Sequence, residues 1–268
     1  MKVIKFVILA AFLGLFFSCS GDKEEVIPRK LVSRIVFDNG WQYDFDYDSK
    51  GRITGRTILN EGNLETEFLA EYITDTIIFT VRGTELGLDK TIKLPLNSDG
   101  SVEYIPRIID GSNYYHSGYE YDNSMLTGVW HAFNWGFSSN KFEWENGNIV
   151  KGGSMFYTAY EYYGTTNKAN IDLAGFEYAV NYPTTIVKPY DPSEPLAGGQ
   201  DKIIALDTWT LGWHGRNTHL LKTVYRISGK YEYSYEFDKH GYVSKVIRDE
   251  YFTDAEKNST LTYLIYYK

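Results

Sequence analysis

The sequence predicts an all-β protein, and three observations carry that prediction. Residues 41–48 and 231–238 alternate aromatic with mostly acidic residues, the period-two pattern of a strand with one buried face. Aromatic residues make up 17% of the 268 residues, which excludes a disordered chain and supplies material for a core. Turn pairs recur between runs of β-branched and aromatic residues, at Asn39-Gly40, Lys50-Gly51, Gly62-Asn63, Asp99-Gly100, Asn146-Gly147 and His240-Gly241.

Residues 1–18 are expected to be a signal peptide rather than part of the fold. Lys2 and Lys5 precede an apolar run of about 12 residues, which is shorter than the roughly 20 residues needed to span a bilayer. Cys19 follows Ser18 and is the only cysteine of the chain, so this segment resembles a bacterial lipobox, whose cysteine is lipidated. The alternative is an ordinary signal peptide in which the cysteine occurs by chance.

Residues 19–29 are expected to form an acidic tether that leads into one β-rich domain, residues 30–268. The stretch 20–25 is small and then mostly acidic, and it resembles the tag that directs lipoproteins of Bacteroidetes-type bacteria to the outer face of the outer membrane. A solvated linker would have the same composition. These segments predict a lipid-anchored outer-membrane protein that faces the cell surface and is held by acyl chains rather than by a basic patch.

The domain is predicted to be an antiparallel meander of related hairpins. The repeated unit is aromatic–acid–aromatic–acid, then a tight turn and an aliphatic residue. Four copies occur at unequal intervals, which indicates a series of hairpins rather than a regular solenoid. The second copy lacks the glycine of the turn. The copies lie at residues 45–53, 119–126, 142–149 and 235–243.

Two stretches interrupt the hairpin series. Ile171, Ala174 and Tyr178 follow helical spacing, which predicts at most a short helix near residues 170–178. Residues 183–201 are rich in proline and glycine and are expected to form a loop. Because this loop lies inside the series, it is interpreted as an insertion and not as a domain boundary.

Three segments carry a resemblance to a known family: Tyr-Asp-Ser-Lys-Gly-Arg-Ile at 47–53, Phe-Glu-Trp-Glu-Asn-Gly-Asn-Ile-Val at 142–150 and Asn-Lys-Ala-Asn-Ile-Asp-Leu at 167–173. They resemble Bacteroidetes lipoproteins that carry a domain of unknown function described as having a porin-like fold. The resemblance covers roughly residues 30–268. It implies a meander curled into a barrel-like or strongly curved open sheet. Its motifs are structural, so the family supplies no catalytic residues.

Composition and motifs argue against several functions. A formal charge of −8 without a basic run is unfavourable for nucleic acid, so no nucleic-acid partner is expected. His214 and His219 are five residues apart, which matches no helical metal pair, so no metal or cofactor is expected. The sequence contains no phosphate-binding loop and no nucleophile elbow, and no catalytic residue is assigned. A hydrolase with an unrecognised pair among its 35 acids is one alternative.

Tryptophans are the candidate ligand-binding residues. Indole rings stack on sugar rings, although aromatic residues in strands more often fill cross-strand pairs and the core. Trp209 and Trp213 border a Gly-containing loop and are the expected exposed pair, with Arg216 and Asn217 as polar contacts beside them. Trp144 occupies an alternating strand position and is expected in the core.

These observations together predict a surface lipoprotein without enzymatic activity that binds a glycan or another polymer through aromatic residues. The alternative is a structural or assembly partner of an outer-membrane protein complex, docked through the sheet edges or an aromatic face. The expected partners are the membrane, through a lipid on Cys19, and either a polysaccharide or an outer-membrane protein.

Overall fold

The computed structural model describes residues 29–83, 90–98, 100–110, 113–123, 125–133, 136–153, 158–173, 184–187, 203–206, 217–227, 229–252 and 256–268. The expected signal peptide, Cys19 and tether residues 20–28 lie outside these ranges. Their assignments therefore stay predictions.

The described residues form eighteen strands and no helix. The strands are β1 Val32–Phe37, β2 Trp41–Tyr47, β3 Ile53–Asn60, β4 Asn63–Tyr72, β5 Thr76–Gly83, β6 Lys90–Pro95, β7 Tyr104–Asp110, β8 Asn113–Asp122, β9 Met125–Phe133, β10 Gly136–Glu145, β11 Asn148–Gly153, β12 Thr158–Thr166, β13 Thr184–Val187, β14 Ile203–Leu206, β15 His219–Arg226, β16 Gly229–Phe237, β17 Val243–Phe252 and β18 Lys257–Tyr267.

Sixteen of the described strands form one antiparallel sheet in the order β6-β5-β4-β3-β2-β1-β18-β17-β16-β15-β12-β11-β10-β9-β8-β7. Most neighbours in this order are also neighbours along the chain, which confirms the predicted meander. There are two exceptions: β1 pairs with β18, and β12 pairs with β15, past the intervening β13 and β14. The short strands β13 and β14 pair only with each other among the described strands.

The two edges of the sheet, β6 and β7, are consecutive along the chain, so the sheet curves until they meet. One bridge, between Leu96 and Val102, joins them. Elsewhere the described residues show no ladder between these edges. Both edge strands contain a proline, Pro95 and Pro106, which has no hydrogen to donate to a ladder. The described residues therefore form an all-β, strongly curved sheet that is not closed into a barrel, which is the open alternative of the prediction.

The two faces of the sheet differ in chemistry. One face forms a hydrophobic core to which strands from β1 to β18 contribute. The other face carries ion pairs across neighbouring strands, such as Lys151–Glu143 at 3.0 Å and Lys245–Glu236 at 2.7 Å. Exposed pairs of this kind add about 0–1 kcal/mol each, so they mark the solvent-exposed face rather than hold the fold together. We call it the outer face.

Each copy of the hairpin unit contains a β-bulge at the same place. A bulge re-aims the side chain that follows it. In the fourth copy the re-aimed residue is Phe237, which is exposed and departs from the buried aromatic face expected for residues 231–238. The register shifts between the acid and the second aromatic residue, at Asp46/Tyr47, Glu120/Tyr121, Glu143/Trp144 and Glu236/Phe237.

Six aromatic side chains in the described residues fasten one end of the sheet. Each lies near the end of an even-numbered strand and donates to a backbone carbonyl near the start of the preceding odd-numbered strand. A buried hydrogen bond of this kind contributes about 0.5–1.5 kcal/mol. We call this side of the sheet the latched end and the opposite side the open end. The donors and acceptors are Tyr47 to Val32, Tyr72 to Ile53, Tyr121 to Val102, Trp144 to Leu126, Tyr235 to Leu221 and Tyr267 to Val243, over 2.6 to 3.0 Å.

Two turns at the latched end share one construction. Asp238 Oδ1 accepts the backbone N–H groups of His240 at 2.8 Å and Tyr242 at 2.9 Å. Gly241 has a φ of 77°, a backbone conformation that favours glycine. The turn that follows Asp48 repeats this arrangement, which explains the recurrence of an aspartate and a glycine three residues apart.

Residues 167–173, which we call the inner segment, pack against the latched end. Ile171 and Leu173 are buried in the core. Asn170 Oδ1 accepts the backbone N–H of Val32 at 2.8 Å, and Leu173 O accepts the hydroxyl of Tyr263 at 2.9 Å. The inner segment thereby connects β12 to the β1–β18 pair in the middle of the sheet.

The inner segment is not helical. Asn167 Oδ1 accepts the backbone N–H of Ala169, and Asn167 Nδ2 donates to Ile171 O, both over 3.1 Å. Such side-chain bonds replace the backbone bonds that a helix would make. The short helix allowed near 170–178 therefore does not form over 170–173, and residues 174–178 lie outside the described ranges.

The predicted loop at 183–201 is partly a strand. Its β-branched run, Thr184–Val187, forms β13 and pairs with β14. Position 183 and residues 188–201 lie outside the described ranges. Among the described residues, no helix is both long and apolar enough to cross a membrane.

Candidate functional site

An aromatic pair stands out on the outer face of β8, β9 and β10. Trp130 lies on β9, opposite Gly118 of β8 and Ser139 of β10. Its ring stacks on that of Phe137, with centroids 6.3 Å apart and planes 22° apart. Phe137 is 68% exposed, the highest value for a large apolar side chain in the described part of the chain. We call Trp130 and Phe137 the aromatic platform.

A glycine lets the platform lie flat on the sheet. A Cβ atom at position 118 would overlap the six-membered ring and the Nε1 atom of Trp130. The indole therefore covers the backbone of β8, in a position that a side chain at residue 118 would block. The orientation of Trp130 is fixed by the absence of a side chain on its neighbour.

A charged pair borders the platform. Lys141 Nζ contacts Glu120 Oε2 across Gly128, and both side chains are about half exposed. A Cβ atom at 128 would lie 2.9 Å from that carboxylate oxygen, so a second glycine makes room for the pair. Lys141 is two residues from Ser139, which lies beside Trp130. The site thus combines an exposed apolar surface with one hydrogen-bond donor group and one acceptor group.

Most of the ligand-binding residues expected from the sequence lie outside the described ranges. These are Trp209, Trp213 and Arg216, together with His214. Their assignment as an exposed aromatic site stays a prediction. Trp144 is described, and its indole N–H donates to Leu126 O at 2.7 Å, which is the structural role expected for it.

Asn217 is described and lies inside the fold. It is 3% exposed, and its Oδ1 atom accepts the backbone N–H of Ile149 at 2.8 Å and the hydroxyl of Tyr162 at 3.0 Å. Its Nδ2 atom donates to Asp172 Oδ2 at 3.1 Å. Both polar atoms of this side chain are therefore engaged in linking β11, β12 and the inner segment. The expected polar contact with a ligand is not available to Asn217 in this arrangement.

Asp172 is the buried acid of this network. Burial raises its pKa from 3.8 to about 7, against the opposing effect of hydrogen bonds from Asn217 and Asn167 and of the charge of Arg29. Its surroundings are amide groups of the fold rather than an open cavity, so we interpret Asp172 as a structural group that titrates near neutral pH.

His219 also has a structural partner. It opens β15, its backbone N–H donates to Asn148 Oδ1 at 2.9 Å, and its Nδ1 atom lies 2.9 Å from Asn148 Nδ2. No group of three or more His, Cys, Asp or Glu side chains suited to a metal ion occurs among the described residues.

The platform could not be predicted from the tryptophan positions alone, because it depends on the cross-strand neighbours of Trp130. Trp130 and Phe137 are separated from Gly118 by turns and come together only once the register is fixed. One signal was present, since an isolated glycine inside a strand marks a close approach of another group. Gly118 and Gly128 both lie within alternating segments.

No family model matches this chain, and no curated protein matches it. Among solved structures, the chain is similar to a porin-like protein from Bacteroides uniformis, with a TM-score of 0.54 and 15% sequence identity. The similarity covers 90% of this chain and 99% of that chain. At this identity the likeness concerns the fold and carries no function across. The porin-like fold implied by the sequence resemblance is thus confirmed.

Proposed function

We propose that this protein is a lipid-anchored, surface-exposed outer-membrane protein without enzymatic activity, and that it binds a glycan on the aromatic platform. The observation that carries the proposal is the flat, exposed Trp130–Phe137 pair on a face otherwise marked by ion pairs. Large exposed apolar groups on such a face indicate an interaction site.

The chemistry of the platform suits a sugar. The C–H faces of a pyranose ring pack against an indole, while its hydroxyl groups require polar partners at the rim of the contact. Glu120 and Lys141 provide an acceptor and a donor there. Because Gly118 already fixes the indole against the sheet, little side-chain freedom is lost on binding.

The tether supports an orientation toward the outside. The chain enters the fold at Lys30, which bridges to Ala169 at the latched end. Cys19 precedes Lys30 by eleven residues, which span roughly 36–40 Å when extended. A lipid on Cys19 would place the latched end toward the membrane. The platform lies nearer the open end, since Phe137 is the second residue of β10, and it would point away from the membrane.

Affinity electrophoresis of residues 20–268, which contain every described residue, tests the glycan proposal. Dietary, host and bacterial polysaccharides are cast into native gels. We expect retardation by at least one polymer, and a roughly tenfold loss of affinity, about 1.4 kcal/mol, in Trp130→Ala and Phe137→Ala.

Phe252→Ala is the matched control, because Phe252 is an exposed aromatic residue away from the platform. It should bind like the unmodified protein. Absence of retardation across the panel, with the folded state confirmed by circular dichroism, would reject the glycan proposal.

A partner protein is the second candidate, and one observation favours it. Leu264 and Tyr266 are neighbours on one face of β18 and are both exposed. Such a pair suits docking to an outer-membrane protein. Cross-linking in cells with a photoreactive residue at position 264 should then capture one specific partner, and capture of none would exclude this surface.

The anchor is tested separately. Cys19→Ala should move the protein from the membrane fraction to the soluble fraction of fractionated cells. Retention of the variant in the membrane fraction would contradict the anchor and leave the platform proposal unaffected.

A further inference from the structure

A second, polar site opens on the outer face between β15 and β16. The ladder between these strands runs from Arg226 to Thr223 and extends no further in the described residues. Beyond that point a cleft of about 230 Å³ separates the strands. Its walls include Tyr163, Lys222, Glu232, Ser234 and Asp249.

Tyrosine hydroxyls keep the cleft open. The pairing of β12 with β15 is irregular between Tyr162 and Thr166, which frees Tyr163 to cross toward β16. Its hydroxyl donates to Tyr233 O at 2.9 Å, and that of Tyr235 donates to Leu221 O at 2.7 Å. Both carbonyls are satisfied without a ladder, so the gap between the strands is part of the fold rather than a defect.

Two carboxylates face each other in the cleft. Glu232 pairs directly with Asp249 across β16 and β17. Lys230 contacts Glu232 Oε1, while Lys257 Nζ lies 2.6 Å from Asp249 Oδ1. Like charges directly opposite would repel, and these ammonium groups offset that repulsion.

The charged groups that line the cleft are Lys222, Glu232 and Asp249, and each forms an ion pair with an oppositely charged side chain beside the cleft. Lys222 lies 3.6 Å from Glu161, so three ammonium groups accompany three carboxylates. A metal cation would have to compete with the ammonium groups already paired with Glu232 and Asp249 and is therefore disfavoured. An anion would meet the carboxylates of Glu232 and Asp249. The electrostatics thus favour an uncharged ligand.

The Asp249 carboxylate suits binding rather than acid catalysis. Burial acts to raise the pKa of Asp249, but hydrogen bonds from Lys257 and Thr260 outweigh it and lower that pKa. A glycosidase needs one carboxylic acid whose pKa is raised. Asp249 stays ionised at neutral pH and acts as a hydrogen-bond acceptor.

Acceptor atoms remain available in the cleft. Asp249 Oδ1 receives Lys257 and Thr260 Oγ1, and Glu232 Oε1 receives Lys230. Within the described residues, the second oxygen of each carboxylate has no hydrogen-bond partner. Two carboxylate oxygens on neighbouring strands accept the hydroxyl groups of a diol, and the ammonium of Lys222 donates to its oxygens.

We propose that this cleft binds one uncharged, hydroxyl-rich unit of the size of a single sugar ring. Its volume is below the roughly 300–1,000 Å³ of pockets for drug-sized ligands, which fits one ring. The partly exposed ring of Tyr163 provides an apolar wall. The cleft lies on β12 to β17, separate from the aromatic platform, and the inference does not depend on the platform.

Titration with single monosaccharides tests this proposal. Glucose, galactose, mannose and N-acetylglucosamine are added to residues 20–268 and followed by saturation-transfer NMR and calorimetry. We expect binding of at least one sugar. Ser234→Trp should weaken it at least tenfold, because Ser234 is exposed and a bulky side chain there fills the cleft without disturbing the core.

Ala159→Trp is the matched control, since it adds the same bulk to an exposed position of β12 outside the cleft. It should retain binding. Lys222→Met, which keeps the aliphatic stem and removes the donor, should weaken binding at least threefold and serves if Ser234→Trp fails to fold. Binding of none of the four sugars by the folded protein, or undiminished binding in these cleft variants, would overturn the proposal.

Failure of the cleft and failure of the platform are distinguishable. Trp130→Ala should leave monosaccharide binding in the cleft unchanged, because Trp130 is on β9 and does not line it. A loss of monosaccharide binding in Trp130→Ala would place the sugar on the platform and reject the cleft as its site.

Discussion

The latched end and the open end of the same sheet are built differently. At the latched end, aromatic hydroxyl and indole groups bond strand to strand, and the inner segment fills the space between them. At the open end, β4 begins with two exposed residues, 63–64, and β18 begins with four, 257–260. Burial therefore declines along β4 and β18 from the latched end to the open end. We infer that stability is concentrated at the latched end, which leaves the open end free to carry the aromatic platform.

The largest expected effect comes from a substitution that creates a cavity at the latched end. Leu173 is 2% exposed in the inner segment, and Leu173→Ala should lower the free energy of unfolding by about 2–5 kcal/mol, measured by urea denaturation. Leu64→Ala is the control at the open end, where Leu64 is 42% exposed, and it should change stability by less than about 0.5 kcal/mol. Equal effects at the two positions would refute the asymmetry.

The second test uses the pH dependence of the latched end. The folded-state pKa of Asp172 is about 7, above its ordinary value of 3.8, so the folded protein holds this proton more tightly than the unfolded chain. The stability that Asp172 contributes is full below about pH 4 and declines as the pH rises to about 7. The slope is at most about 1.4 kcal/mol per pH unit, the value for one proton.

Asp172→Asn removes this titration while keeping the shape of the side chain. The difference in unfolding free energy between the two proteins should therefore decrease from pH 4 to pH 7 and stay constant above that, in urea titrations at each pH. A constant difference across the whole range would show that Asp172 ionises normally.

The third test removes one latch. The Tyr47 hydroxyl donates to Val32 O at 2.6 Å and accepts from Asn170 Nδ2 at 3.0 Å, so Tyr47→Phe leaves a carbonyl and an amide without this partner. The loss should be about 1–3 kcal/mol. Tyr225→Phe is the control, because that hydroxyl bonds to Glu161 on the exposed face and should contribute under about 0.5 kcal/mol. If the Tyr47 hydroxyl contributed no more to the free energy of unfolding than the Tyr225 hydroxyl, these hydrogen bonds would not explain a more stable latched end.

The smallest expected effect on stability is at the platform. Gly118→Ala should displace the Trp130 ring and weaken polysaccharide retardation, while the free energy of unfolding changes by less than about 1 kcal/mol. Gly164→Ala is the matched control, since a Cβ atom at 164 meets nothing within 4 Å. Unchanged retardation in Gly118→Ala would mean that a flat indole is not required for binding.

The sequence was informative wherever the structure depends on neighbours along the chain. The alternation at residues 41–48 and the recurring unit predicted the hairpins, and the aspartate–glycine turns around Asp48 and Asp238 follow directly from local chemistry. Bulges could not be predicted, because a bulge is a relation between two strands. Phe237 therefore seemed buried by its alternation and is exposed by the register shift before it.

Contacts between distant parts of the chain explain what the sequence could not reveal. Asn217 follows a glycine–arginine stretch and was expected at the surface, but its partners are Ile149, Tyr162 and Asp172 from three other segments. The platform and the cleft have the same origin. The platform with Gly118 beneath it, like the cleft, depends on residues from at least three strands, and only the sheet order brings them together.

The pairing of β1 with β18 has a consequence for folding during synthesis. Arg34 and Tyr266 are partners although most of the chain separates them. Strand β1 is synthesised early and can pair with β18 only after β18 has been synthesised. Until β18 arrives, β1 exposes one unpaired edge and β17 another. Non-local pairing of this kind slows folding. A nascent chain with this topology cannot complete its central sheet pairing until residues 257–267 are available.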